Sequence, residues 1–471
     1  MLKKWMLTLF ICFHAQSCFY HPLFKPYFFP EKSESSDFLL LLGGAFFLNQ
    51  VQITSISKTS GVEGDTITIE GINFSANAFE NSILFTGSIP GEIVSASETS
   101  ISVRVPLGAK SGSIVINTTK GSAQSADSFT VYRYFITFSA GTNTETFTLD
   151  INSGAVAPIV GSPYSLNIPL GAKFSQNGKY AYSGNFGGAT TIQSYSTNPL
   201  DGRISLLNAT AGTTTQDPVF FAFHPNGKYL YVSNVNGGTV TAFNYDSNTG
   251  ILTQISDYNP TCGCTLNHLV ISPDGRFLFV NGNGGGEPIL GFSIDLTTGI
   301  LTNIPNSPFT TGIANMEAIL IDSSSQFLYS VAASNSSILN RNINQTTGEL
   351  TPIPGAPSVT GTPNNFRAVM HPSGKFLYTV NIAGATLAKH DIASDGSLSL
   401  PNSTLNFGSN LQFVSLDPTG AYGFVSNTGG NNFYVFKVDS TTGAPTLLNS
   451  GNPYPASAGN NSVPEAYRIA Q

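Results

Sequence analysis

A repeat of about 48 residues constrains this chain more than any other feature. A twelve-residue segment with a Pro-x-Gly-type turn recurs six times, at spacings of 46 to 50 residues. A second signature is usually an Asp, Asn or Ser, followed by two or three small residues and then a Gly. It recurs seven times at spacings of 47 to 49 residues. The turns divide each period into four strands, which is one blade of a β-propeller, so seven copies predict seven blades. The six segments begin at Phe174, Phe223, Ile271, Ile321, Met370 and Leu416, and the seven glycines are Gly154, Gly202, Gly250, Gly299, Gly348, Gly396 and Gly443.

The two ends of the repeat region predict that the ring is closed. The segment from Arg133 aligns with the second strand of a blade, so the region begins one strand late. The segment from Pro464 aligns with a first strand, the one that begins at Pro218. We therefore expect the last strand to complete the first blade, which removes the exposed sheet edge (velcro closure).

Composition supports an all-β chain and excludes several other classes. Charged residues make up 10% of the 471 residues, and 47 Gly and 27 Pro interrupt helices. A helical bundle, a collagen-like repeat and a charge-driven disordered chain are excluded. The net charge is −7 and no basic tract is present, which argues against nucleic acid as a partner.

Residues 51–132 predict a separate β-sandwich that precedes the repeats. Short alternating runs at 53–56, 66–69, 82–85, 100–105 and 112–117 are separated by turn residues. The sequences ITSISKTSGVEGDTITIEGINFS and SISVRVPLGAKSGSIVINTTKGSAQSADSFTV resemble an IPT/TIG immunoglobulin-like domain. The resemblance covers the whole segment, although Lys58 stands where that family usually has Pro. It implies a structural or binding module without an active site of its own.

The repeat region resembles the seven-bladed lactonase family, which includes 6-phosphogluconolactonases and muconate cycloisomerases. The segments SPDGRFLFVNG and HPSGKFLYTVN and the Asp-x-x-Thr-Gly-x-Leu turns carry this resemblance over about 340 residues. The same segments form structural turns, so they indicate the fold more strongly than the chemistry. The resemblance implies a cluster of His, Arg and Glu at one mouth of the channel.

This chain departs from the residue pattern that the resemblance implies. The family His stands six residues before the Pro of the turn, which is Asn267 here, whereas His268 stands five before Pro273. Strand side chains alternate, so this offset predicts that the ring of His268 points elsewhere. Arg367 likewise stands five residues before its turn, and Ile382 occupies the position of the family Glu.

Seven residues on predicted first strands are the candidate site residues. Lactone hydrolysis needs a base that activates water or a charge that stabilises the oxyanion. The candidates either gather at the channel mouth or are scattered residues whose polar groups bond to neighbouring residues. His268, Arg367 and Glu317 are the catalytic candidates, and Asn267, Lys173, Glu465 and Arg468 are the further channel-mouth candidates.

Neither a metal nor a cofactor is expected. Cys262 and Cys264 are too few for a structural zinc site and form either two free thiols or a labile local disulfide. Asp246, Asn248 and Gly250 imitate part of a calcium loop, but the spacing recurs as a turn and lacks the bidentate Glu.

The N-terminus predicts export. Lys3 and Lys4, an apolar run and small residues before Cys18 are typical of a signal peptide over residues 1–17. Cys18 in that position resembles the lipidation site of a bacterial lipoprotein, with Ala15 where an aliphatic residue is usual; the alternative is an ordinary signal peptide. Residues 18–50 form a tether that contains an apolar run at 38–48, which is too short to span a bilayer. This run either packs on the next domain or lies in the membrane interface.

The expected organisation is therefore a signal peptide (1–17), a tether (18–50), an IPT/TIG sandwich (51–132) and a seven-bladed propeller (133–471). The favoured function is binding or scaffolding at the cell envelope, with a lipid anchor in the membrane, most simply the outer membrane. The ligand expected at the propeller face is a glycan, a small molecule or a protein. The alternative is a lactonase or cycloisomerase that acts on a sugar or organic-acid lactone, and a third possibility is a purely structural spacer.

Overall fold

The computed structural model describes residues 50–471, except 141, 169–170, 261, 285, 314, 334–336, 355–357, 360–364, 382–383, 408–410, 428–429 and 457–463. The expected signal peptide, Cys18, the apolar run at 38–48 and Ile382 lie outside the described residues. The chain divides into two compact units, Met1–Val131 and Tyr132–Gln471. In the described residues, no helix is both long enough and apolar enough to cross a membrane.

The first unit is an immunoglobulin-like sandwich. One sheet has the strand order β1-β3-β7-β6, and a second sheet contains the adjacent strands β5, β4, β8 and β9, with β2 parallel to β9. Ile67 and Ile69 of β3 are fully buried, as strand alternation requires, and pack with Phe85 and Phe129 from the other sheet. The five predicted strands are all present, and their ends shift by at most three residues. The strands are β1 (Gln52–Ile56), β2 (Ser60–Gly61), β3 (Thr66–Ile72), β4 (Asn81–Thr86), β5 (Ile89–Pro90), β6 (Glu92–Ala96), β7 (Ser100–Arg104), β8 (Lys110–Thr118) and β9 (Gly121–Ala140), with a 3-10 helix at Ala78–Glu80.

The second unit is a β-propeller whose seven sheets confirm the seven predicted blades. Innermost strands of successive blades contact one another around a central channel. Blade 1 contains β10 (Asn143–Leu149), β11 (Val156–Pro158) and β12 (Tyr164–Ser165); blade 2 contains β13 (Lys173–Phe174), β14 (Tyr180–Ser183), β15 (Thr191–Thr197) and β16 (Ile204–Thr213); blade 3 contains β17 (Pro218–Phe223), β18 (Tyr229–Asn234), β19 (Thr239–Tyr245) and β20 (Leu252–Tyr258); blade 4 contains β21 (Thr265–Ile271), β22 (Phe277–Asn283), β23 (Pro288–Ile294), β24 (Leu301–Asn303) and β25 (Phe309–Thr310).

The remaining blades follow the same antiparallel order. Blade 5 contains β26 (Met316–Ile321), β27 (Phe327–Ala332), β28 (Ser337–Ile343), β29 (Leu350–Pro352) and β30 (Ser358–Val359); blade 6 contains β31 (Asn365–Met370), β32 (Phe376–Asn381), β33 (Thr386–Asp391) and β34 (Ser403–Asn406); blade 7 contains β35 (Leu411–Leu416), β36 (Tyr422–Asn427), β37 (Asn432–Val438), β38 (Pro445–Leu447) and β39 (Tyr454–Pro455), with a 3-10 helix at Asn449–Gly451.

The C-terminal strand closes the ring, as the alignment of the two ends predicts. Strand β40 (Glu465–Ala470) pairs antiparallel with the second part of β9, in the register Glu465↔Thr137 to Ala470↔Tyr132. It therefore supplies the innermost strand of blade 1. The sheet edge that β9 would otherwise expose is paired from Tyr132 to Thr137.

Tyrosine hydroxyls join neighbouring blades. In four blades a buried Tyr of the second strand donates a hydrogen bond to the carbonyl of the signature glycine of the next blade. Blade 1 has Ile136 at that position, and Tyr467 of β40 supplies the hydroxyl instead, donating to Gly202 at 2.8 Å. The last strand thus completes both the sheet and this set of bonds. The other four are Tyr182 to Gly250 at 2.6 Å, Tyr231 to Gly299 at 2.9 Å, Tyr329 to Gly396 at 3.0 Å and Tyr378 to Gly443 at 2.6 Å.

Candidate functional site

All seven candidate residues lie on innermost strands, but local bulges decide where their side chains point. In β21 the register shifts between Leu266 and Leu269, so Asn267 and His268 occupy a bulge with one extra residue. Strand β26 shifts in the same way around Glu317, and β31 shifts just before Arg367. Bulges redirect side chains and are common beside binding sites.

His268 is a neutral histidine enclosed among the innermost strands. Its ring lies 4.0 Å, centroid to centroid, from the ring of Phe220 of blade 3. Its Nε2 atom is buried without a hydrogen-bond partner among the described residues. Burial lowers the pKa of His268 well below its usual value, and the charges of Arg367 and Lys173 lower it further. At neutral pH the ring is therefore uncharged.

Arg367 forms an ion pair across the boundary between blades 5 and 6. Its Nη1 atom lies 2.7 Å from Oε2 of Glu317 and also donates to the Glu317 carbonyl at 3.1 Å. The two side chains are only 14% and 19% exposed. The guanidinium also lies 5.3 Å from the ring centroid of Phe413 in blade 7. These contacts fix the guanidinium and neutralise its charge.

Lys173 forms a second, more exposed ion pair. Its Nζ atom lies 3.1 Å from Oε1 of Glu465, and the side chains are 45% and 23% exposed. This contact joins blades 2 and 1. Arg468, three residues further along β40, lies instead over the ring of Tyr132, with 4.4 Å to the centroid. The structure thus associates Lys173 and Glu465 with the site but shows Arg468 stacked on Tyr132.

The side chain of Asn267 points away from that of His268. Its Nδ2 atom donates to the main-chain carbonyl of Met316 in blade 5 at 3.1 Å. The main-chain carbonyl of Asn267 accepts from the hydroxyl of Ser233 in blade 3 at 2.8 Å. Asn267 therefore ties the bulge of β21 to both neighbouring blades. This role suits a residue that positions His268.

Two aromatic residues of the site do not follow from charge or from family motifs. Phe220 and Phe413 stand three residues before the repeated segments that begin at Phe223 and Leu416. His268 and Arg367 stand at the same offset from their own segments. Aligning the repeats by this position, rather than searching for ionisable residues, would have found both aromatic rings.

The site combines a neutral base, two ion pairs and aromatic faces. An unprotonated His can accept a proton or a hydrogen bond, and a fixed guanidinium can stabilise a negative oxygen. No group of three or more His, Cys, Asp or Glu suited to a metal occurs in the part of the chain that the structure describes. The two cations of the site, Arg367 and Lys173, are each paired with a carboxylate.

Stability should depend on pH through His268. The pKa of His268 is lower in the folded protein than in the unfolded chain, so the unfolded chain binds a proton on this ring more readily. The folded protein is therefore fully stabilised at pH values well above the unfolded pKa of about 6.5, and this stabilisation is lost as the pH falls below that value. We expect His268→Gln to flatten the fall in the free energy of unfolding between pH 7.5 and about pH 5. Chemical denaturation at several pH values measures this difference. His371 and His390 also have pKa values lowered by burial and act in the same direction, so only the difference between the two proteins is informative. Parallel profiles would contradict the prediction.

Two protein-family models match this chain. The model described as "Lactonase, 7-bladed beta-propeller" matches residues 171–265 and 281–459, and the IPT/TIG domain model matches residues 52–134. The lactonase match covers more than half of the chain. The lactonase match covers most of blades 2 to 7, and the second match covers the sandwich described above.

Solved structures of similar fold share little sequence with this chain. The periplasmic gluconolactonase of Pseudomonas aeruginosa is 15% identical, with a TM-score of 0.58 over 71% of this chain and 99% of that chain. A candidate 6-phosphogluconolactonase from Bacteroides fragilis is 20% identical, with a TM-score of 0.57 over 71% and 98%. A protein from Lactobacillus plantarum is 17% identical, with a TM-score of 0.57 over 72% and 99%. No curated protein matches the chain. At these identities the likeness concerns the fold.

Proposed function

This chain belongs to the seven-bladed β-propeller lactonase family, and we propose that its channel binds an uncharged, polar small molecule such as a sugar or a sugar lactone. The observation that carries this proposal is the pairing of both channel cations. Arg367 lies 2.7 Å from Glu317, and Lys173 lies 3.1 Å from Glu465. A ligand with a phosphate or carboxylate would have to compete with these carboxylates.

Recognition of phosphate argues against a phosphorylated ligand. Phosphate groups are held by charge-assisted hydrogen bonds, most effectively by a bidentate guanidinium. Here the same guanidinium Nη1 atom already bonds two oxygens of Glu317. The Glu317 carboxylate therefore occupies the position at Arg367 where an anionic ligand would otherwise bind. The channel suits a neutral ligand better.

The remaining groups fit the usual composition of a small-molecule site. Such sites place a few polar groups among apolar and aromatic surfaces. Nε2 of His268 is a buried polar atom without a described partner, and a ligand hydroxyl could donate to it. Phe220 and Phe413 supply the aromatic surfaces beside His268 and Arg367.

Hydrolysis of a neutral lactone is the second candidate function. It is favoured by one observation, the neutral ring of His268 within the electrostatic influence of Arg367. In such a reaction His268 would act as the base that takes a proton from water, and Arg367 would stabilise the tetrahedral oxyanion. The ion pair with Glu317 weakens that second role. Binding is therefore the primary proposal, and turnover is an additional outcome to be measured.

A calorimetric panel tests the proposal. We expect the full-length protein to bind a neutral sugar or gluconolactone at least about tenfold more tightly than 6-phosphogluconate. His268→Ala should weaken this binding about tenfold, by loss of a hydrogen bond worth roughly 1.4 kcal/mol. Arg367→Met removes the fixed guanidinium and should also weaken this binding; Arg203→Met is its matched control, because Arg203 lies over Tyr164 of blade 1 and away from the innermost strands. Ring opening, followed in the same samples with a pH indicator, separates turnover from binding. Preferred binding of the phosphorylated acid would overturn the proposal.

We also propose that the protein acts at the bacterial cell envelope. The support is in the N-terminal sequence, where a basic and apolar segment leads to Cys18. Acylation at Cys18 would anchor the protein in a membrane, because two or more acyl chains give stable anchoring. A secreted or anchored location also fits a neutral sugar ligand, since sugar phosphates are intracellular intermediates.

A further inference from the structure

Cys262 and Cys264 form a disulfide in the segment that leads into β21. Cys262 is partly exposed, whereas Cys264 is 9% exposed and belongs to the apolar core cluster that includes Leu266. The sulfur of Cys264 packs so closely on β22 that a side chain on Gly282 would come within 2.5 Å of it. Cys262 is thus the more exposed of the two residues, although it also packs against this cluster, and Cys264 is fixed in it.

This disulfide encloses too short a loop to act as a major staple of the fold. The stabilisation that a disulfide gives through the unfolded state grows with the length of the closed loop. Here the two cysteines are separated by two positions in sequence. The seven blades and the strand β40 hold the propeller together without it. Its reduction should therefore leave the ring folded.

The segment that contains the disulfide leads directly into β21. The Leu266 amide donates to the Val235 carbonyl at 3.2 Å, and Thr265 pairs with Asn283, so this segment contacts hairpins of blades 3 and 4. Asn267 and His268 follow directly. A covalent link between Cys262 and Cys264 limits how far this segment moves.

We propose that Cys262–Cys264 is a reversible thiol–disulfide exchange site that controls the order of the segment leading to His268. The reductant is a dithiol, either a small molecule or a protein. Its thiolate attacks Sγ of the more exposed Cys262, the bond between the two cysteine sulfurs breaks, and Sγ of Cys264 leaves and takes up a proton. The second thiol of the reductant then attacks the reductant's first sulfur, which is bonded to Cys262 in the mixed disulfide. This step releases Cys262 as a thiolate and leaves the reductant as a disulfide.

The backbone favours this second step. The Cys264 amide donates to Sγ of Cys262 at 3.2 Å. A hydrogen bond to a thiolate stabilises the charged form, so Cys262 is the better leaving group. Cys264 is surrounded by apolar side chains. The two cysteines therefore have different roles.

Labelling of thiols in the folded protein tests this inference without any channel ligand, so its failure and that of the proposed function are distinguishable. The full-length protein is treated with dithiothreitol, labelled with iodoacetamide and digested, and the peptide that contains both cysteines is analysed by mass spectrometry. We expect Cys262 to be labelled, and Cys264 to be labelled more slowly, while circular dichroism is unchanged, and oxidised glutathione to restore the disulfide. Labelling only after global unfolding would overturn the proposal.

Hydrogen exchange measures the structural consequence. On reduction, deuterium uptake should rise at least about twofold in residues 262–271 and stay unchanged in residues 316–321, the innermost strand of the next blade. The double variant Cys262→Ser, Cys264→Ala should show the reduced pattern with or without dithiothreitol. Uptake that does not change, or that rises in both segments, would contradict a local switch.

Discussion

Deletion of residues 464–471 is expected to abolish the cooperative unfolding transition of the propeller. The deletion removes β40, whose Tyr467 and Ile469 are 3% and 1% exposed, and uncovers the edge of β9. Burial of two such side chains contributes about 1.5–3 kcal/mol each, and each lost ladder hydrogen bond contributes about 1 kcal/mol. The sum is comparable with the whole stability of a typical domain, about 5–15 kcal/mol. Differential scanning calorimetry of the full chain and the truncated chain measures the effect.

Two milder changes separate ring closure from an ordinary loss of tail residues. Tyr467→Phe keeps the strand but leaves the buried Gly202 carbonyl without its hydroxyl donor, and should cost about 1–2 kcal/mol. Removal of Gln471 alone loses an exposed hydrogen bond to the Pro199 carbonyl and a long one to the Ile469 carbonyl, and should cost less than about 1 kcal/mol. If the deletion of 464–471 were no worse than the deletion of Gln471, the ends would not close the ring as described.

Glu317→Gln is expected both to destabilise the propeller and to give the channel affinity for anions. The substitution leaves the 14%-exposed guanidinium of Arg367 without its carboxylate. Breaking a fully buried pair costs about 3–5 kcal/mol, and partial exposure reduces this to about 2–3 kcal/mol. The released guanidinium can then bind a phosphate through charge-assisted hydrogen bonds. We expect the affinity for 6-phosphogluconate to rise at least about tenfold.

The matched control makes the same chemical change at a surface pair. Glu92 lies 3.6 Å from Arg104 in the sandwich, where the side chains are 72% and 52% exposed. Glu92→Gln should leave both the unfolding transition and the affinity for the phosphorylated acid unchanged, because exposed pairs contribute little. Chemical denaturation and calorimetric titration give the two quantities. An unchanged affinity in Glu317→Gln would show that the ion pair is not what excludes anions.

Most of the fold could be predicted from the sequence because the architecture is repetitive. Each blade needs the same turns at the same places, so a period of about 48 residues appears directly in the glycines and in the Pro-x-Gly segments. Closure could be predicted as well, since Arg133 and Pro464 begin at complementary positions of a blade. The seven sheets and the pairing of β40 with β9 confirm both predictions.

The site was harder to predict because it depends on backbone irregularities. Strict alternation along β21 predicts that His268 and Asn267 point to opposite sides, and the structure agrees, with Asn267 bonded to blade 5 and His268 beside blade 3. What alternation does not reveal is the extra residue between Leu266 and Leu269, which changes where both side chains lie relative to the channel. Arg367 and Glu317 were both candidates from the sequence, but their pairing could not be predicted, because Glu317 lies 50 residues away.

The crystal structure of the protein with its best neutral ligand is the most direct test of a channel that binds uncharged molecules. We predict that the ligand lies among the innermost strands, with a hydroxyl group that donates a hydrogen bond to Nε2 of His268, and that both the Arg367–Glu317 and the Lys173–Glu465 pairs remain intact. A ligand bound at loops outside the channel, or one whose charged group replaces Glu317 at Arg367, would contradict this account.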